Sequence, residues 1–484
     1  MQEEPVFARV AGKIQKWVAG EPNVSAGWQP LIEQAKENRP SVPSTADIAI
    51  VGAGAAGLFA AIWAGRAAAA GSRVVAFDGA RKLGAKILVA GGGRCNVTHH
   101  AVSEHDFAGS TPPAIRKVLR RFSAEQTVQF FHEAGVELKQ EETGKLFPVS
   151  DSARTVLEAL IQEATVAGAK LIHPARVTAI NALPSSQQTV ADGTAMPAEQ
   201  PCRFRVMTDA GSCTARRVIL CTGGRSLPKS GSDGFGYQLA QALGHSITTP
   251  VVPALVPLLL AGDHWIKQLS GLTLPTAVTL TATSGKRLAA TTGSTLCTHR
   301  GLSGPAVLDI SRHWLVARYD DPAVRLSLNW LPEETPESVD QLLQAGRGTL
   351  AALRQRLPER LARQLCEQAG APAAGDLPRA ARRALVQLVT ATPLPVTGDR
   401  GFTVAEATAG GVPLAELNLK TMESRCYPGL YLAGELLDVD GRIGGFNFHW
   451  AWASGFVAGT AAGGLHEVDH HEGRKRTKEQ VRST

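Results

Sequence analysis

The pattern of apolar and polar positions changes along the chain, and each change predicts a different kind of element. "DIAIVGAGAAGLFAAIWAGRAAAAGSRVVAFD", residues 47–78, passes from an apolar run through a glycine-rich turn and an alanine-rich stretch to a second apolar run. Short apolar runs bounded by glycine are typical of buried strands, and the alanine-rich stretch is typical of a helix. The segment therefore predicts a βαβ unit, the building block of a parallel sheet.

Two later segments have different patterns. Residues 226–335 are rich in Pro, Thr and Val in short alternating runs, which predicts a β domain. Residues 336–390 carry leucines at helical spacing, which predicts a small helical subdomain, and the α/β pattern returns with "GLYLAGE" at residue 429. The predicted division is a polar N-terminal extension (1–44), an α/β domain (45–225 and 398–465), an inserted β domain (226–335 and 391–397), a helical subdomain (336–390) and a basic flexible tail (466–484).

Composition narrows the class of protein without deciding its activity. The 484 residues are 44% hydrophobic and 19% charged, values typical of a globular protein with two or three domains. The seven cysteines show no C-x-x-C spacing, which predicts neither a disulfide framework nor a zinc site and favours a reducing cytoplasm. Since no apolar run reaches signal-peptide or membrane-spanning length, we expect neither secretion nor membrane insertion.

The net charge of +7 is concentrated in two places. They are the stretch "RKRTKEQVRST", residues 474–484, and a group of eight arginines within residues 342–390. Either a solvated helical face with a solvated tail or a polyanion-binding surface would produce this pattern. If the arginines form one face, Leu342, Leu350, Leu353, Leu357 and Leu361 should pack inward while Arg347, Arg354, Arg356, Arg360, Arg382 and Arg383 point outward.

The first glycine turn carries a recognisable binding pattern. Gly52, Gly54 and Gly57 form G-x-G-x-x-G between the first predicted strand and helix. In a dinucleotide-binding βαβ unit these glycines permit a tight turn, close approach of the backbone to a pyrophosphate, and close packing of helix on strand. Asp78 ends the second strand, where a carboxylate accepts hydrogen bonds from an adenosine ribose. We therefore predict that this domain binds a dinucleotide.

Two late segments favour FAD over a nicotinamide dinucleotide alone. "VILCTGG", residues 218–224, predicts a strand that runs into a glycine turn. "GLYLAGELLDVDGRIGGFNFHWAWASGFVAG", residues 429–459, predicts a strand, an acidic loop, a diglycine and a long helix. In flavoproteins a strand-end acid meets the ribityl chain, and a helix N-terminus stabilises the anionic reduced ring. A nicotinamide-only enzyme needs neither, so FAD is the predicted cofactor.

The order of seven segments resembles the YhiN/BaiN-like family of FAD-binding flavoproteins. They are "GAGAAGL", "LGAKILVAGGGRCNVT", "GKLFPVSDSA", "TGGRSLPKSGSDGFGYQLAQALGH", "THRGLSGPAVLDIS", "EATAGGV" and "AGELLDVDGRIGGFNFHWAWASGFVAG". The resemblance covers residues 46–464 and implies an α/β fold with a discontinuous, Rossmann-like, two-dinucleotide-fold FAD domain, an inserted β-barrel-like domain and a small helical subdomain. It also implies an NAD(P)/FAD-dependent oxidoreductase, with NADH or NADPH as electron donor. The chain departs from the family at Ala85, where a basic residue is usual, and at His99, where an Asn-type residue is usual.

The second glycine loop, "GGGRCN", is expected to return past the pyrophosphate and wrap the cofactor. Its glycines would give backbone clearance, Arg94 would offer a positive fork to a phosphate or substrate oxygen, and Asn96 would bond the flavin ring or cap a turn. The predicted cofactor-binding residues are Gly52, Gly54, Ala55, Ala56, Gly57, Asp78, Lys86, Gly92, Gly93, Arg94, Asn96, Thr222, Gly223, Gly434, Glu435, Asp438, Gly444, Gly445, Phe446 and Asn447.

Cys95 and His299 are the predicted catalytic residues. Cys95 would serve as a proton donor or redox partner beside the flavin, although a free cysteine is also a common small buried residue. His299 precedes the tight "GLSGPA" loop and would either act on the substrate or make a structural hydrogen bond. His449 and Trp450, at the start of the last predicted helix, would face the flavin or pack in the core.

Three functions remain open. In the first, flavin hydride transfer reduces a carbon–carbon double bond in uracil of RNA and a side chain protonates the neighbouring carbon, since the family has been linked to dihydrouridine formation in large-subunit ribosomal RNA. In the second, the substrate is a small amine or a ring that contains an enone. In the third, the protein binds flavin without turnover. The localised arginines favour ribosomal RNA, whereas a small substrate predicts an apolar cavity between the FAD and β domains.

Overall fold

The computed structural model describes residues 40–183, 203–345, 348–372 and 377–464. The predicted basic tail, most of the predicted N-terminal extension and Arg347 lie outside the described residues. The helices are α1 (Ala55–Ala67), α2 (Ala85–Gly93), α3 (Pro112–Leu119), α4 (Ala124–Glu133), α5 (Ala153–Val166), α6 (Phe235–Ala242), α7 (Pro305–Asp320), α8 (Pro336–Ala345), α9 (Thr349–Arg354), α10 (Glu359–Gln368), α11 (Arg379–Ala391) and α12 (Phe446–Gly463). Among the helices of these ranges, none is both long and apolar enough to cross a membrane.

The strands alternate with the helices in the first half of the chain and dominate the middle. They are β1 (Thr45–Val51), β2 (Val74–Phe77), β3 (Thr98–His99), β4 (Phe107–Gly109), β5 (Leu138–Gln140), β6 (Lys145–Pro148), β7 (Ala169–Ile172), β8 (Val177–Ala182), β9 (Phe204–Thr208), β10 (Gly211–Leu220), β11 (Val252–Ala254), β12 (Leu258–Leu260), β13 (Thr273–Thr281), β14 (Arg287–Thr298), β15 (Gly301–Ser303), β16 (Arg325–Asn329), β17 (Thr392–Leu394), β18 (Val396–Asp399), β19 (Ala407–Ala409), β20 (Leu417–Asn418), β21 (Glu423–Ser424), β22 (Leu430–Leu432) and β23 (Val439–Gly441).

The largest sheet joins strands from both ends of the described chain. Its order is β20-β21-β22-β10-β1-β2-β7, and the β8–β9 hairpin extends it through antiparallel pairing of β9 with β10. Strands β22, β10, β1, β2 and β7 run parallel, with Ile50 beside Ile219 and Ala49 beside Val75. The predicted βαβ unit is confirmed, because β1, α1 and β2 follow one another and the two strands pair in parallel. The predicted α/β fold with a Rossmann-like domain is therefore confirmed as well.

Glycines allow α12 to pack closely on α1. A Cβ atom at Gly455 would lie 2.7 Å from the backbone oxygen of Ala56, and one at Gly459 would lie 2.4 Å from the backbone oxygen of Ala60. Larger side chains would push the two helices apart, since protein interiors are close-packed. These glycines therefore fix the position of α12 against the helix that follows the first glycine turn.

A second core lies in the segment inserted between β10 and β22. Its sheet has the strand order β17-β16-β13-β14-β15-β12-β18 and packs against α7 and the helices from α8 to α11. Pro395 alone separates the first and last strands of this order, so one end of each edge strand lies beside the other, and the barrel-like domain that the resemblance implies stays a prediction. Helix α6 buries its apolar face in the core of the Rossmann-like domain. The core of the inserted domain therefore begins at Leu258, whereas the sequence predicted that the inserted domain starts at residue 226.

The helical segment buries most of the leucines that its spacing singled out. Leu350, Leu353, Leu357 and Leu361 lie in the second core, and Leu342 is half-buried against it. Arg354, Arg356, Arg360 and Arg383 are exposed, and Arg382 is half-buried. The predicted inward and outward faces are thus present, although a half-buried residue interrupts each of them.

A strand pair and α7 tie the inserted domain to the Rossmann-like domain. β11, where the chain enters the insert, pairs in antiparallel register with β19, where the chain leaves it. On α7, Asp309 Oδ1 accepts a hydrogen bond from Ile443 N at 2.7 Å. One turn further along, Arg312 donates two hydrogen bonds to the carboxylate of Asp440, at 2.9 and 3.0 Å. The insert therefore contacts both β23 and the loop that precedes α12.

Candidate functional site

A cavity lies where the carboxyl ends of β1, β2 and β10 approach the inserted domain. Its volume is about 550 Å³. The Rossmann-like domain supplies most of the wall, and Leu255, Val404 and Glu406 close it from the two segments that lead into and out of the insert. Ligands of open parallel sheets bind outside the carboxyl ends of the strands, often between domains. The cavity is therefore the candidate cofactor and substrate site.

The first glycine turn forms one wall of the cavity. Gly52 has a φ of 94°, and a Cβ atom there would lie 2.5 Å from Cys221 O. A Cβ atom at Gly57 would lie 1.8 Å from Gly52 O. Gly54 differs, because a Cβ atom at this position would have no other atom within 4 Å. Packing explains Gly52 and Gly57, whereas Gly54 leaves clearance for a ligand at the N-terminus of α1.

Asp78 follows β2 and lies on the cavity wall. Its Oδ2 accepts a hydrogen bond from Ala53 N at 2.7 Å, and its Oδ1 accepts one from Ala80 N at 2.8 Å. These bonds hold the carboxylate beside the first glycine turn. A carboxylate has about four acceptor sites, so Asp78 retains acceptors for ribose hydroxyl groups and can fill the predicted role.

The second glycine loop ends α2 and turns along the cavity. Gly91 and Gly92 adopt left-handed backbone conformations, with φ of 57° and 69°. A Cβ atom at Gly91 would lie 3.0 Å from both Asn96 N and the ring of Phe147, whereas one at Gly92 would meet no atom within 4 Å. Glycine adopts this conformation without steric cost. Gly92 therefore combines a turn that favours glycine with open space on the cavity side.

Asn96 joins the second glycine loop to the N-terminus of α12. With its amide oriented so that both polar atoms have partners, Asn96 Oδ1 accepts from Gly445 N at 3.0 Å and Nδ2 donates to Thr98 O at 2.9 Å. Asn447 folds back and hydrogen-bonds both backbone groups of Gly441, at 2.9 and 2.8 Å. These bonds fix the start of α12 at the cavity wall, where the positive end of the helix dipole favours an anionic group.

Lys86 and Glu435 form an ion pair on the cavity wall. Lys86 Nζ donates to Ser226 Oγ at 2.5 Å, and Ser226 Oγ donates to Glu435 Oε1 at 2.8 Å. The three side chains come from α2, from the segment after β10 and from the segment after β22. Because the two charges neutralise each other, this part of the wall is polar without a net charge.

Most of the predicted cofactor residues line the cavity. They are Gly52, Gly54, Ala55, Ala56, Asp78, Lys86, Gly92, Arg94, Asn96, Thr222, Gly223, Glu435, Gly444, Gly445 and Asn447. The structure does not place Gly57, Gly93, Gly434, Asp438 or Phe446 on the wall. Asp438 is buried, which raises its pKa, and the ring of Phe446 stacks on His99 at 4.9 Å between centroids. Both side chains thus support the wall from behind, and direct cofactor contacts by these residues stay predictions.

The guanidinium of Arg94 already has partners. Its Nη1 lies 2.6 Å from Glu141 Oε1 and 3.6 Å from Asp151 Oδ1. The guanidinium carbon lies 4.0 Å from the centroid of the Phe147 ring. A phosphate or substrate oxygen would therefore have to compete with two carboxylates, so the predicted phosphate-binding role of Arg94 stays a prediction.

Cys95 lies behind the cavity wall. It is fully buried and has a φ of 61°, and it does not line the cavity although Arg94 and Asn96 on either side of it do. Burial raises the pKa of the Cys95 thiol to about 12. At neutral pH the group therefore stays a thiol that releases its proton reluctantly. These features favour the packing alternative for Cys95 over the catalytic one.

We expect Cys95→Ala to retain bound FAD and most of the turnover, because alanine keeps the Cβ atom and the side chain has no surface in the cavity. The visible absorbance of the flavin and the rate of NADH or NADPH oxidation would check this. A variant that keeps FAD but loses turnover would instead support the catalytic role predicted from the sequence.

The two histidine predictions have different outcomes. His299 lies in the exposed turn between β14 and β15 and does not line the cavity, so its catalytic role stays a prediction. His449 is buried with its Nδ1 at 3.0 Å from Thr98 Oγ1, and burial lowers its pKa to about 4. Trp450 Nε1 donates to Gly434 O at 3.2 Å. His449 and Trp450 therefore pack in the core, which was the alternative to facing the flavin.

Sequence reasoning missed the charged residues at the junction of the two domains. Lys145, Glu406 and Arg442 line the cavity there. Arg442 Nε donates to Asp106 Oδ1 at 2.8 Å, whereas the side chains of Lys145 and Glu406 have no hydrogen-bond or ion-pair partner in the described ranges. Burial raises the pKa of Glu406, and the nearby Lys145 and Lys86 oppose that shift. The only sequence signal for Glu406 is its position at the start of "EATAGGV".

The arginines of the helical segment are largely paired with acids. The pairs are Arg354 and Arg363 with Glu359, Arg356 with Glu334, and Arg382 with Asp340, at N–O distances from 2.5 to 3.8 Å. Arg360 donates to the backbone oxygen of Gln268 at 2.8 Å. These pairs neutralise much of the positive charge, so the surface is a weaker candidate for polyanion binding than the arginine count alone suggests.

Away from the cavity, His245, Glu416 and Cys426 bring three ligand-type atoms within 4.8 Å of one another. His245 Nδ1 lies 2.7 Å from Glu416 Oε2, and the hydroxyl of Ser246 donates to Glu416 Oε1 at 2.5 Å. Metal binding through Nδ1 would leave a protonated Nε2 buried without an acceptor in the described part of the chain. The hydrogen bond between His245 and Glu416 is by itself enough to bring these two side chains together.

The cavity wall fits a flavin dinucleotide. Gly54 and Gly92 leave open space on the cavity side, and the hydroxyl oxygens of Thr222 and Ser232 are buried in the wall without a hydrogen-bond partner in the described residues. These oxygens have almost no exposed surface, so the open space at the two glycines, and not the two hydroxyl groups, supports a ligand here. The first glycine turn and Asp78 would hold the adenosine half of FAD, and the second glycine loop and α12 would hold the flavin half.

Comparisons with known proteins point the same way. The family model described as "HI0933-like protein Rossmann domain" matches residues 46–461. The chain is 32% and 31% identical to proteins of Haemophilus influenzae and Escherichia coli that are named ribosomal RNA dihydrouridine synthase, with 84% and 85% of this chain and 96% of each relative covered. It is 35% identical to a Clostridium scindens protein named 3-dehydro-bile acid delta(4,6)-reductase, with 86% of this chain and 98% of that protein covered.

The matches span nearly the whole of the segment that resembled the YhiN/BaiN-like family, and they confirm that resemblance. They also support FAD as the cofactor, in agreement with the glycine turns and the open cavity wall. The chain belongs to the HI0933-like Rossmann-domain family and is an FAD-dependent oxidoreductase.

Proposed function

We propose that the protein reduces a carbon–carbon double bond conjugated to a carbonyl group, with uridine of large-subunit ribosomal RNA as the first candidate substrate. NADH or NADPH would reduce the flavin, and the reaction would take place in the cytoplasm. One observation carries the proposal. A lysine, Lys145, and an acid, Glu406, line the cavity at the junction of the two domains, and neither side chain has a hydrogen-bond or ion-pair partner among the residues that the structure describes.

Reduction of a conjugated double bond needs a hydride, a cation near the carbonyl oxygen and an acid near the neighbouring carbon. FAD, when bound, would supply the hydride. Lys145 Nζ would hold the carbonyl oxygen and stabilise the negative charge that develops there. The apolar side chains of Leu255, Val404 and Ile443, which line the same part of the cavity, would exclude water from these charges.

Support for uridine comes from two relatives. They are named ribosomal RNA dihydrouridine synthase, and dihydrouridine is uridine whose ring double bond has been reduced. The uracil ring presents this double bond next to a carbonyl group, so it has the chemistry that Lys145 would recognise. The paired arginines of the helical segment give RNA less support than their number suggests, because Glu334, Asp340 and Glu359 neutralise them.

A small cyclic enone is the second candidate, and the apolar part of the wall favours it. Leu255, Val404 and Ile443 line the same cavity as the charged residues at the domain junction, as expected for a cavity that takes a carbon ring. The Clostridium scindens relative is named a delta(4,6)-reductase, a name that denotes the reduction of double bonds. Enone and uracil share a conjugated carbonyl group, so the same side chains would serve either substrate.

Two experiments test the proposal. Ribosomal RNA from a strain that lacks the gene should contain uridine where the parent strain has dihydrouridine. Treatment of that RNA with the purified protein and NADH or NADPH should increase its mass by two hydrogens, measured by mass spectrometry. In parallel, the anaerobically reduced enzyme is mixed with cyclic enones while flavin absorbance is followed. Unchanged RNA together with enone-dependent reoxidation would identify a small-molecule reductase. Failure of both would contradict double-bond reduction.

A further inference from the structure

We propose that Glu406 is the catalytic acid that delivers a proton to the substrate carbon. The assignment rests on the proposed double-bond reduction, because only a reaction that leaves an enolate needs such a donor. Glu406 belongs to the segment that leads into β19, so the inserted domain and the Rossmann-like domain meet at this side chain. Proton delivery would therefore take place at the junction of the two domains.

The other acids of the cavity wall are occupied. Asp78 accepts two backbone hydrogen bonds, Asp233 pairs with Arg176 at 2.7 Å, and Glu435 forms an ion pair with a lysine. Among the acids that line this wall in the described ranges, Glu406 alone has a carboxyl group without a hydrogen bond or an ion pair. Its acidic proton and its acceptor oxygens are therefore available to a substrate.

The surroundings of Glu406 raise the pKa of its carboxyl group. Its backbone N–H donates to Leu255 O at 3.3 Å, which holds the residue at the seam between the domains. Its exposed surface opens into the cavity, while burial by the surrounding protein raises the pKa of the carboxyl group. Lys145 of β6 and Lys86 of α2 act against this shift. Asp309 of α7, whose own pKa burial raises to about 6, is close enough to interact with Glu406 electrostatically.

The step balances in atoms and electrons. FAD, when bound and reduced by NADH or NADPH, would supply a hydride with its two electrons, and this hydride would form a C–H bond at the alkene carbon farther from the carbonyl group. The electron pair of the double bond moves toward the carbonyl oxygen and gives an enolate beside Lys145. The enolate carbon next to the carbonyl group then forms a C–H bond with the proton of Glu406, whose O–H bond breaks. Water returns a proton to the carboxylate.

Glu406→Gln tests the assignment, because it keeps the size of the side chain and removes the acid. The variant should retain FAD and accept electrons from NADH or NADPH as the parent does. Reoxidation of its reduced flavin by the substrate that the parent accepts, a cyclic enone or uridine-containing ribosomal RNA, should fall by about 100- to 10,000-fold, the range for a general acid. Glu406→Asp should recover part of the rate.

Two further readouts separate acid catalysis from packing. In the parent, the reoxidation rate should fall as pH rises through the pKa of Glu406, and Glu406→Gln should lose this descent. The infrared difference spectrum between parent and variant, followed without substrate as pH is raised, should show the band of a protonated carboxyl group that disappears at a higher pH than the band of a glutamate side chain in water. Glu333→Gln, an exposed acid of the inserted domain that does not line the cavity, should match the parent throughout.

The outcomes distinguish the donor role from the proposed function. A Glu406→Gln variant that is reoxidised as fast as the parent overturns the donor role alone, and so does a parent without the carboxyl band. A parent enzyme whose reduced flavin is reoxidised by neither substrate overturns the proposed function, and the donor role falls with it.

Discussion

Gly57→Ala is expected to abolish FAD binding and to lower the free energy of unfolding by about 3 kcal/mol, at the upper end for an overpacked site. The added Cβ atom would lie 1.8 Å from Gly52 O, so the first turn of α1 would have to move away from the glycine turn. FAD binding would be measured by fluorescence titration of the apoprotein and stability by chemical denaturation.

Gly54→Ala is the matched control, and it separates ligand clearance from packing. A Cβ atom at Gly54 meets no atom within 4 Å, and the residue has a φ of −77°, which alanine adopts without strain. The apoprotein should therefore unfold at the same denaturant concentration as the parent. Its affinity for FAD should nevertheless fall by about tenfold or more, equivalent to about 1.4 kcal/mol, because the methyl group occupies the path of the pyrophosphate. Unchanged affinity would show that the cofactor does not lie against this turn.

Arg312→Leu is expected to destabilise the protein by about 3 to 5 kcal/mol, because it leaves the carboxylate of Asp440 buried without its cation. Asp440 is 3% exposed, and both of its carboxylate oxygens accept hydrogen bonds from Arg312. Denaturant unfolding of the parent and the variant would measure the loss. The double variant Arg312→Leu with Asp440→Leu should lose less than the single one, since it buries no lone charge.

The pH dependence of the Arg312→Leu variant follows from the same group. Burial raises the pKa of Asp440, and Arg312 is the main effect that lowers it. Without Arg312 the folded protein should bind a proton at Asp440 more tightly than the unfolded chain does, so the stability deficit should shrink as pH falls through that pKa. A deficit that is the same at every pH would show that lost packing, rather than the unpaired charge, destabilises the variant.

The parts of the fold that follow local rules could be predicted from the sequence. The first βαβ unit depends on an apolar pattern and on three glycines that lie close together in the sequence. Gly52, Gly54 and Gly57 therefore predicted both the glycine turn and a dinucleotide ligand. The residues around the second glycine loop were also predicted to approach the cofactor, and Gly92 and Asn96 line the cavity.

The remaining features depend on contacts between distant parts of the chain. The motif "GGGRCN" does not show that the left-handed backbone of Cys95 directs its side chain into the core while its neighbours line the cavity. Similarly, the basic excess counted over residues 342–390 does not include Glu334 and Asp340, which precede that segment and pair with two of its arginines. The position of Glu406 at the start of "EATAGGV" does not show that its carboxyl group lies in the cavity without a partner in the described ranges, because that is a property of the folded junction.

The pairing of β11 with β19 also bears on how the inserted domain can vary in length. The two crossings between the domains lie side by side as one short ribbon, so the chain enters and leaves the insert at one place, while α7 adds a second attachment through Arg312 and Asp440. A change in the length of the insert would leave the distance between β11 and β19 unchanged. Leu255, Val404 and Glu406 lie beside that ribbon. A change in the insert would therefore act on this part of the cavity wall and not on the two glycine turns that would hold the flavin.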